Sequence, residues 1–183
     1  MTSVRDLVIH GDDLIIATHG RAFWILDDIA PLRQMGGEVA NSEAWLYKPA
    51  QAIRVTSDSF SGTPLPPEEP QAQNPARGAY LDYCLRDAAG GPIQLEVLDS
   101  RGKMVRQFSI DDKPSAPPVN PPIAARWLAQ PQQLSHAAGM HRFVWDLRYG
   151  RTGEQTTADL EEIGLESWIG PLVLPGTYQI KLT

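Results

Sequence analysis

The sequence predicts an all-β chain, and three observations support this fold class. Residues 140–149 alternate apolar and polar side chains with the period of two that is typical of a half-buried strand. Residues 4–29 and 79–110 contain further short apolar or alternating runs, separated by glycine-containing turns. No long stretch has the 3.6-residue apolar period of an amphipathic helix. We therefore expect strands packed sheet on sheet and joined by irregular connections.

The strand predicted at 140–149 is the one around which the core is expected to form. One parity of this run holds its largest apolar side chains: His141, Phe143, Trp145, Leu147 and Tyr149. The other parity holds mostly charged residues, with Met140 and Val144 as the apolar exceptions. Three aromatic rings on one face can fill the space between two sheets. Trp145 is therefore predicted to lie in the core.

Length and composition restrict the classes of protein that this chain can represent. The 183 residues suffice for one domain, or for one domain and a smaller piece, and 42% of them are hydrophobic. A net charge of -6 argues against a nucleic-acid or anionic-membrane partner, because both need a basic surface. No apolar run is long enough to predict a membrane span, and the first residues lack the pattern of a signal peptide. Cys84 is the single cysteine, so no intrachain disulfide is expected.

Residues 4–29 predict three short strands in an antiparallel meander. The turns are indicated by Gly11 with two following aspartates and by Gly20 with its neighbours. The strands carry apolar residues on both parities, so a sheet made of them has two apolar faces. Such a sheet cannot bury itself, and we expect it to be a piece of a larger sheet assembly.

The same region carries a family resemblance. Residues 4–10 (VRDLVIH) and 13–29 (DLIIATHGRAFWILDDI) resemble the last blade of BNR-repeat, sortilin-like propeller proteins, a group often labelled glycosyl hydrolase or sialidase-like. The aspartate box of that repeat is absent, and the run corresponds to one partial blade, whereas a propeller needs several. The resemblance implies that residues 1–30 are a partial terminal propeller blade.

The remainder of the chain predicts a linker and a second group of strands. Residues 31–42 contain proline, glycine and asparagine and are expected to be a linker. Three half-buried strands are predicted across 79–110, and Tyr178, Ile180 and Leu182 share a face in a last strand at 177–183. The residues that share one parity in the first three strands are Ala79, Leu81, Tyr83 and Leu85, then Ile93, Leu95 and Val97, then Met104, Arg106, Phe108 and Ile110. Proline-rich or polar connections are expected at 57–77, 111–138 and 150–170.

These later strands carry a second resemblance. The runs 95–106 (LEVLDSRGKMVR), 139–146 (GMHRFVWD) and 174–180 (LPGTYQI) are similar to FlgD-type immunoglobulin-like sandwiches, including the sandwich that follows the propeller in BNR-repeat proteins. The resemblance implies an immunoglobulin-like β-sandwich at 43–183. Family members continue into at least one more strand, so the sandwich is expected to be truncated at its C-terminus and the chain to be a fragment.

No set of residues predicts catalysis, a metal or a cofactor. The adjacent carboxylates at 68–69, 111–112 and 161–162 lie in predicted loops, whereas a glycosidase needs two carboxyl groups about 5–10 Å apart across the sugar. The histidines and aspartates of residues 10–19 match no metal-ligand spacing and are expected to be turn residues. Cys84 is expected to be structural rather than nucleophilic.

Three residues remain as candidates for carbohydrate binding. Arg21 could approach the central funnel of a complete propeller, although carboxylate recognition needs several converging arginines. Trp45 and Trp168 could stack on sugar rings if they are exposed on one face. For both tryptophans a place in the core or in a packed loop is the alternative, and for Arg21 it is an ordinary turn.

Three functional hypotheses follow. The first is a non-catalytic accessory sandwich that packs on the remaining propeller blades of a larger BNR-repeat protein. The second is a fragment of a sialidase-like glycoside hydrolase whose active site lies in other blades. The third is a carbohydrate-binding or adhesion module. The family resemblance implies export to the periplasm or the extracellular space, and uncovered strands predict self-association.

Overall fold

The computed structural model describes residues 2–54, 75–112, 132–150 and 170–183. Their regular structure is mostly β-strand, with two one-turn helices, so the predicted all-β class is confirmed. The strands form three separate three-stranded sheets, and every strand pair is antiparallel. The first sheet is the predicted meander, and the other two enclose the core in a sandwich-like arrangement.

The meander consists of β1 (Val4–His10), β2 (Asp13–Thr18) and β3 (Phe23–Leu26) in the order β1-β2-β3. Gly11 has a φ of 61° and Gly20 a φ of 78°, and both lie in the turns predicted from their positions. A glycine reaches this left-handed region without the steric cost of a side chain, which explains the tight reversals. The three predicted strands of this region are confirmed.

Two short helices occupy the region that the sequence predicts to be a linker. They are α1 (Ala30–Gln34), with Pro31 in its first turn, and α2 (Gly37–Asn41). Proline is tolerated at this end of a helix because its missing N–H has no partner there in any case. Ile29 and Pro31 are buried, so this connection is packed against the rest of the protein.

The sandwich-like part contains two sheets. One has the order β4-β5-β8, formed by β4 (Ala44–Leu46), β5 (Ala79–Leu85) and β8 (Gly139–Trp145). The other has the order β7-β6-β9, formed by β6 (Gln94–Leu98), β7 (Met104–Ser109) and β9 (Gln179–Leu182). The core lies between them, where Phe108 of one sheet meets Phe143 of the other at 4.6 Å between ring centroids.

Alternation along the strands predicts most of this core correctly. In β5 the buried apolar residues are those of one predicted parity: Ala79, Leu81, Tyr83 and Leu85. Leu95 and Val97 of β6 are fully buried, and Phe143 and Trp145 of β8 are 5% and 2% exposed. Tyr178, Ile180 and Leu182 pack against the same cluster, as their shared parity predicts.

The long strand predicted at 140–149 is shorter in the structure. It ends at Trp145, and Leu147 has a φ of 58°, which no strand residue adopts. The chain turns there, and the indole Nε1 of Trp145 donates to the carbonyl oxygen of Arg148 at 3.0 Å within this turn. Tyr149 is consequently exposed, and the prediction that it shares the buried face is wrong.

In β7 the predicted alternation of buried and exposed side chains fails at Met104. Met104 is exposed, whereas its neighbour Val105 is buried in the core. The register of the β6–β7 pair shifts between Val97 and Leu98, where β7 holds one residue more than its partner. Val105 is the extra residue of this β-bulge. A bulge changes the direction in which a side chain points, and here the Val105 side chain faces the core.

Candidate functional site

The meander is the part of the structure whose apolar surface lacks a cover. Directly paired residues share a face of a sheet, so the strand register divides its side chains into two groups. Face A, as we name it, contains Val4, Leu7, Ile9, Leu14, Ile16, Trp24 and Leu26. Face B contains Val8, Ile15, Ala17, Phe23 and Ile25. Both faces are therefore apolar, as the sequence predicts.

Solvent reaches both of these faces. On face A, Leu7 and Ile9 are each 54% exposed, and on face B, Phe23 is 74% and Ile25 is 55% exposed. Every residue of β1 is exposed. Large apolar side chains grouped on a surface in this way are typical of an interaction site, because isolated soluble domains seldom leave such patches open.

One arginine joins the end of the meander to the sandwich. Arg142 of β8 forms a two-point ion pair with Asp82 of β5, with Nε–Oδ1 and Nη2–Oδ2 distances of 2.8 and 2.9 Å. Its guanidinium also donates to the backbone oxygens of Asp27 and Asp28, at 3.1 and 3.0 Å. The carbon at its centre lies 4.4 Å from the ring centroid of Tyr80. We call this group the arginine clamp.

The electrostatics of the arginine clamp follow from burial. Asp82 is 2% exposed and is the one charged residue that is buried in the described part of the chain. Its carboxylate raises the pKa of Arg142, chiefly through their hydrogen bonds. Burial is the main cause that raises the pKa of the Tyr80 phenol, and the negative charge of Asp27 adds to it. Burial of a carboxylate away from water is costly unless a partner such as the Arg142 guanidinium pairs with it.

The connection after the meander strengthens the same junction. The amide of Ile29 donates to the carbonyl of Asp12 at 2.7 Å, and Arg33 pairs with the Asp12 carboxylate at 3.1 Å. The side chain of Gln34 then exchanges two hydrogen bonds with the backbone of Lys48, at 2.8 and 2.9 Å. The meander is therefore fixed to the sandwich at the end that holds Gly11 and Ile29.

The predicted carbohydrate-binding residues are not brought together. Arg21 lies in the exposed turn between β2 and β3, at the end of the meander opposite the junction, and its carbonyl accepts a hydrogen bond from Trp24 Nε1 at 2.9 Å. Trp45 lies in β4 on the sandwich, half-buried, with its Nε1 buried and unpartnered among the described residues. Trp168 lies outside the described residues. Arg21 and Trp45 thus belong to different sheets.

One member of the acidic pair at 111–112 has a structural role. The Asp112 carboxylate accepts from the amide of Ser109 at 2.7 Å, as a turn aspartate does. No group of three or more histidine, cysteine or acidic residues within the described ranges could hold a metal ion. The acidic pairs at 68–69 and 161–162 lie outside those ranges. No helix of the described chain is long and apolar enough to cross a membrane.

Sequence reasoning found the two-faced meander but missed the arginine clamp. Asp82 and Arg142 occupy the polar parity of their strands, which the alternation assigns to solvent. Their direct pairing across β5 and β8 could have been found only from the register, which places them opposite each other.

Comparison of the chain with protein-family models, with curated proteins and with solved structures finds no match.

Proposed function

We propose that this chain is a non-catalytic accessory β-protein that docks through its meander onto further β-sheets, as the terminal blade of a propeller does. The observation that carries the proposal is the exposure of apolar side chains on both faces of a sheet that is anchored at one end. A sheet inside a propeller has a neighbour on each face, so two apolar faces suit that position. The resemblance to BNR-repeat propeller proteins supports the same partner and implies an exported protein.

The energetics favour a covered state for the meander. Burial of a leucine, isoleucine or phenylalanine side chain contributes about 1.5–3 kcal/mol. Each face presents at least three large side chains that are about half exposed or more, for example Leu7, Ile9 and Leu26 on face A. A partner sheet that covers one face would therefore gain several kcal/mol before the entropic costs of association. The arginine clamp reduces those costs, because it holds the meander in place beforehand.

The observed geometry favours docking over carbohydrate binding. A sugar platform needs aromatic faces that are open to solvent beside polar groups. The indole of Trp45 is half-buried within its sheet, and Arg21 lies on another sheet. The meander, in contrast, offers apolar surface on both of its faces.

Site-specific photocrosslinking in the cells that make the protein would test the proposal. A benzophenone amino acid would replace Val8 on face B in one variant and Leu7 on face A in another. We expect both positions to crosslink to β-sheet segments of BNR-repeat type, identified by peptide mass spectrometry. The matched control carries the same amino acid at Met104, which is also exposed but lies on the sandwich.

Two results would contradict the proposal. One is crosslinking at positions 7 and 8 that does not exceed that at position 104. The other is a crosslinked partner without β-propeller repeats. Either would show that the exposed meander does not mark a docking site for blades.

A further inference from the structure

A cleft opens along one side of the sandwich, and none of its described lining residues belongs to the meander. The two sheets end on this side in the edge strands β4 and β9. The space between them has a volume of about 880 Å³. Leu81 and Trp145 line it from the β4-β5-β8 sheet, and Tyr178 and Ile180 line it from β9 and the residue before it. The cleft is thus bordered by the edge of a sheet.

The backbone of β9 offers unused hydrogen-bonding groups at this edge. Gln94 and Thr183 exchange both backbone hydrogen bonds, at 2.7 and 2.9 Å, so Thr183 directs its peptide groups towards β6. Because these groups alternate along an antiparallel strand, Ile180 and Leu182 direct their N–H and C=O groups away from β6. The described strands provide no partner on that side of β9.

The rim of the cleft is apolar and is held in place. Ile53 is 77% exposed and Leu174 is 75% exposed, and both belong to the lining. The carbonyl of Val173 accepts a hydrogen bond from Arg54 Nη1 at 3.1 Å, and that of Leu174 accepts one from the Tyr178 hydroxyl at 2.5 Å. These bonds fix the position of the exposed leucine beside the open edge.

The charged residues in the described lining of the cleft are of one sign. Its described lining contains Lys48 and Arg54 and no aspartate or glutamate. The chain as a whole has a net charge of -6, so this site is locally opposite in sign to the molecule. A basic site on an acidic protein selects an acidic ligand, since like charges raise the free energy of the wrong complex.

We propose that this cleft binds an extended acidic peptide segment of a partner protein, which adds a strand to β9. The backbone of the peptide would pair with the free groups of Ile180 and Leu182. Its alternate apolar side chains would pack beside the exposed Ile53 and Leu174 at the rim, and its carboxylates would meet Lys48 and Arg54. Addition of a strand to a sheet edge combines main-chain affinity with side-chain specificity in this way. The proposal does not depend on the docking role of the meander.

A synthetic peptide would serve as the probe. In it valine and threonine alternate, and glutamates follow at the carboxyl end. Binding to the full chain would be followed by fluorescence anisotropy, and amide hydrogen exchange by NMR. We expect saturable one-to-one binding and at least about tenfold slower exchange at Ile180 and Leu182, because both amides gain a partner. A peptide with lysines in place of the glutamates should bind at least about tenfold more weakly.

Charge-reversal variants provide the matched control. Arg54→Glu should reverse the preference between the two peptides. Arg101→Glu reverses another exposed arginine, in the β6–β7 turn outside the cleft, and should leave the preference unchanged. Lys48→Glu repeats the test without removing the hydrogen bond of Arg54.

Four results would overturn the proposal. The first is exchange of Ile180 and Leu182 in the free chain that is as slow as that of Lys181, because the edge would then be covered already. The second is protection of the same amides that increases with protein concentration alone, which would assign the edge to a second copy. The third is peptide binding without protection at these amides. The fourth is absence of binding by the acidic peptide.

Discussion

The indole of Trp145 contacts both sheets of the sandwich. Its ring meets Tyr178 edge-on at 5.2 Å between centroids, and its Nε1 donates to the carbonyl of Arg148. Trp145 is 2% exposed and has the largest of the fully buried side chains in the described ranges. One residue therefore combines apolar burial with the hydrogen bond that holds the turn after β8.

Substitution of Trp145 tests its place in the core. We expect Trp145→Ala to lower the free energy of unfolding by about 3–5 kcal/mol, the usual cost of removing a large buried aromatic. Urea denaturation monitored by circular dichroism would measure the change. A matched substitution, Phe23→Ala on the exposed face B, should cost far less. A loss below about 1 kcal/mol for Trp145→Ala would contradict the burial.

The arginine clamp allows a second prediction at the scale of residues. Asp82→Asn should lower the free energy of unfolding by about 1–3 kcal/mol, because it removes the charge that faces a partly buried guanidinium. Glu43→Gln removes a carboxylate that pairs with Arg86. Because the Glu43 side chain is 88% exposed, this substitution should lower the free energy of unfolding by under about 1 kcal/mol. Equal losses in the two variants, measured by urea denaturation, would show that the clamp contributes no more than a surface pair.

Among the elements, the meander differs from the sandwich strands in having no covered face. Its three strands are joined by tight turns, and its contacts with the sandwich lie at one end. The outer edge of β9 likewise has no partner among the described strands. Exposed apolar surfaces and strand edges both recruit other chains.

We expect the isolated chain to self-associate through the meander. Sedimentation velocity should show an average mass that rises with protein concentration. Replacement of Val8 and Ile25 by lysine on face B should reduce this rise and leave the thermal midpoint nearly unchanged, since both side chains are exposed. Replacement of the exposed Met104 and Met140 by lysine is the control. A monomer at every concentration, with or without the lysines, would contradict the prediction.

The turn between β6 and β7 gives a prediction about pH. The Asp99 carboxylate accepts hydrogen bonds from the amides of Lys103 and Arg101, and these bonds lower its pKa below the ordinary value of 3.8. A carboxylate whose pKa is lowered by folding stabilises the folded state above its unfolded pKa, and this contribution is lost as the pH falls through its folded pKa. The affected range therefore lies below about pH 4.

Asp99→Asn should reveal this contribution in the acid dependence of the thermal midpoint. The difference between the original chain and the variant should be largest near neutral pH and should shrink as the pH falls below 3.8. Asp111→Asn provides the control, because Asp111 is exposed and its carboxylate makes no hydrogen bond among the described residues. A difference that is constant with pH would contradict the role given to the Asp99 charge.

At the scale of the whole molecule, the proposed accessory role predicts the absence of glycosidase activity. The purified chain should not hydrolyse aryl glycosides or sialosides above the rate in buffer. The reason is that the sequence predicts loops around the acidic pairs, and that Arg21 and Trp45 lie on different sheets. Turnover that a single substitution within the chain abolishes would contradict the accessory role and favour the glycoside-hydrolase alternative.

The sequence by itself determined the all-β class, the three-stranded meander and most of the core. These features are local, because strand alternation and glycine turns depend on neighbouring residues. Thus Trp145 and Leu81 were assigned correctly to the interior from parity alone. The two uncovered faces of the meander also follow from its parity.

The tertiary structure alone decided how these pieces are joined. Asp82 and Arg142 carry the parity of solvent-facing residues, yet Asp82 is buried and Arg142 donates to the backbone at the end of the meander. The register of β5 and β8 and the fold of the connection at 30–41 produce this contact, and both depend on residues distant in sequence. The bulge at Val105 and the turn at Leu147 likewise result from long-range pairing and packing, which local alternation does not encode.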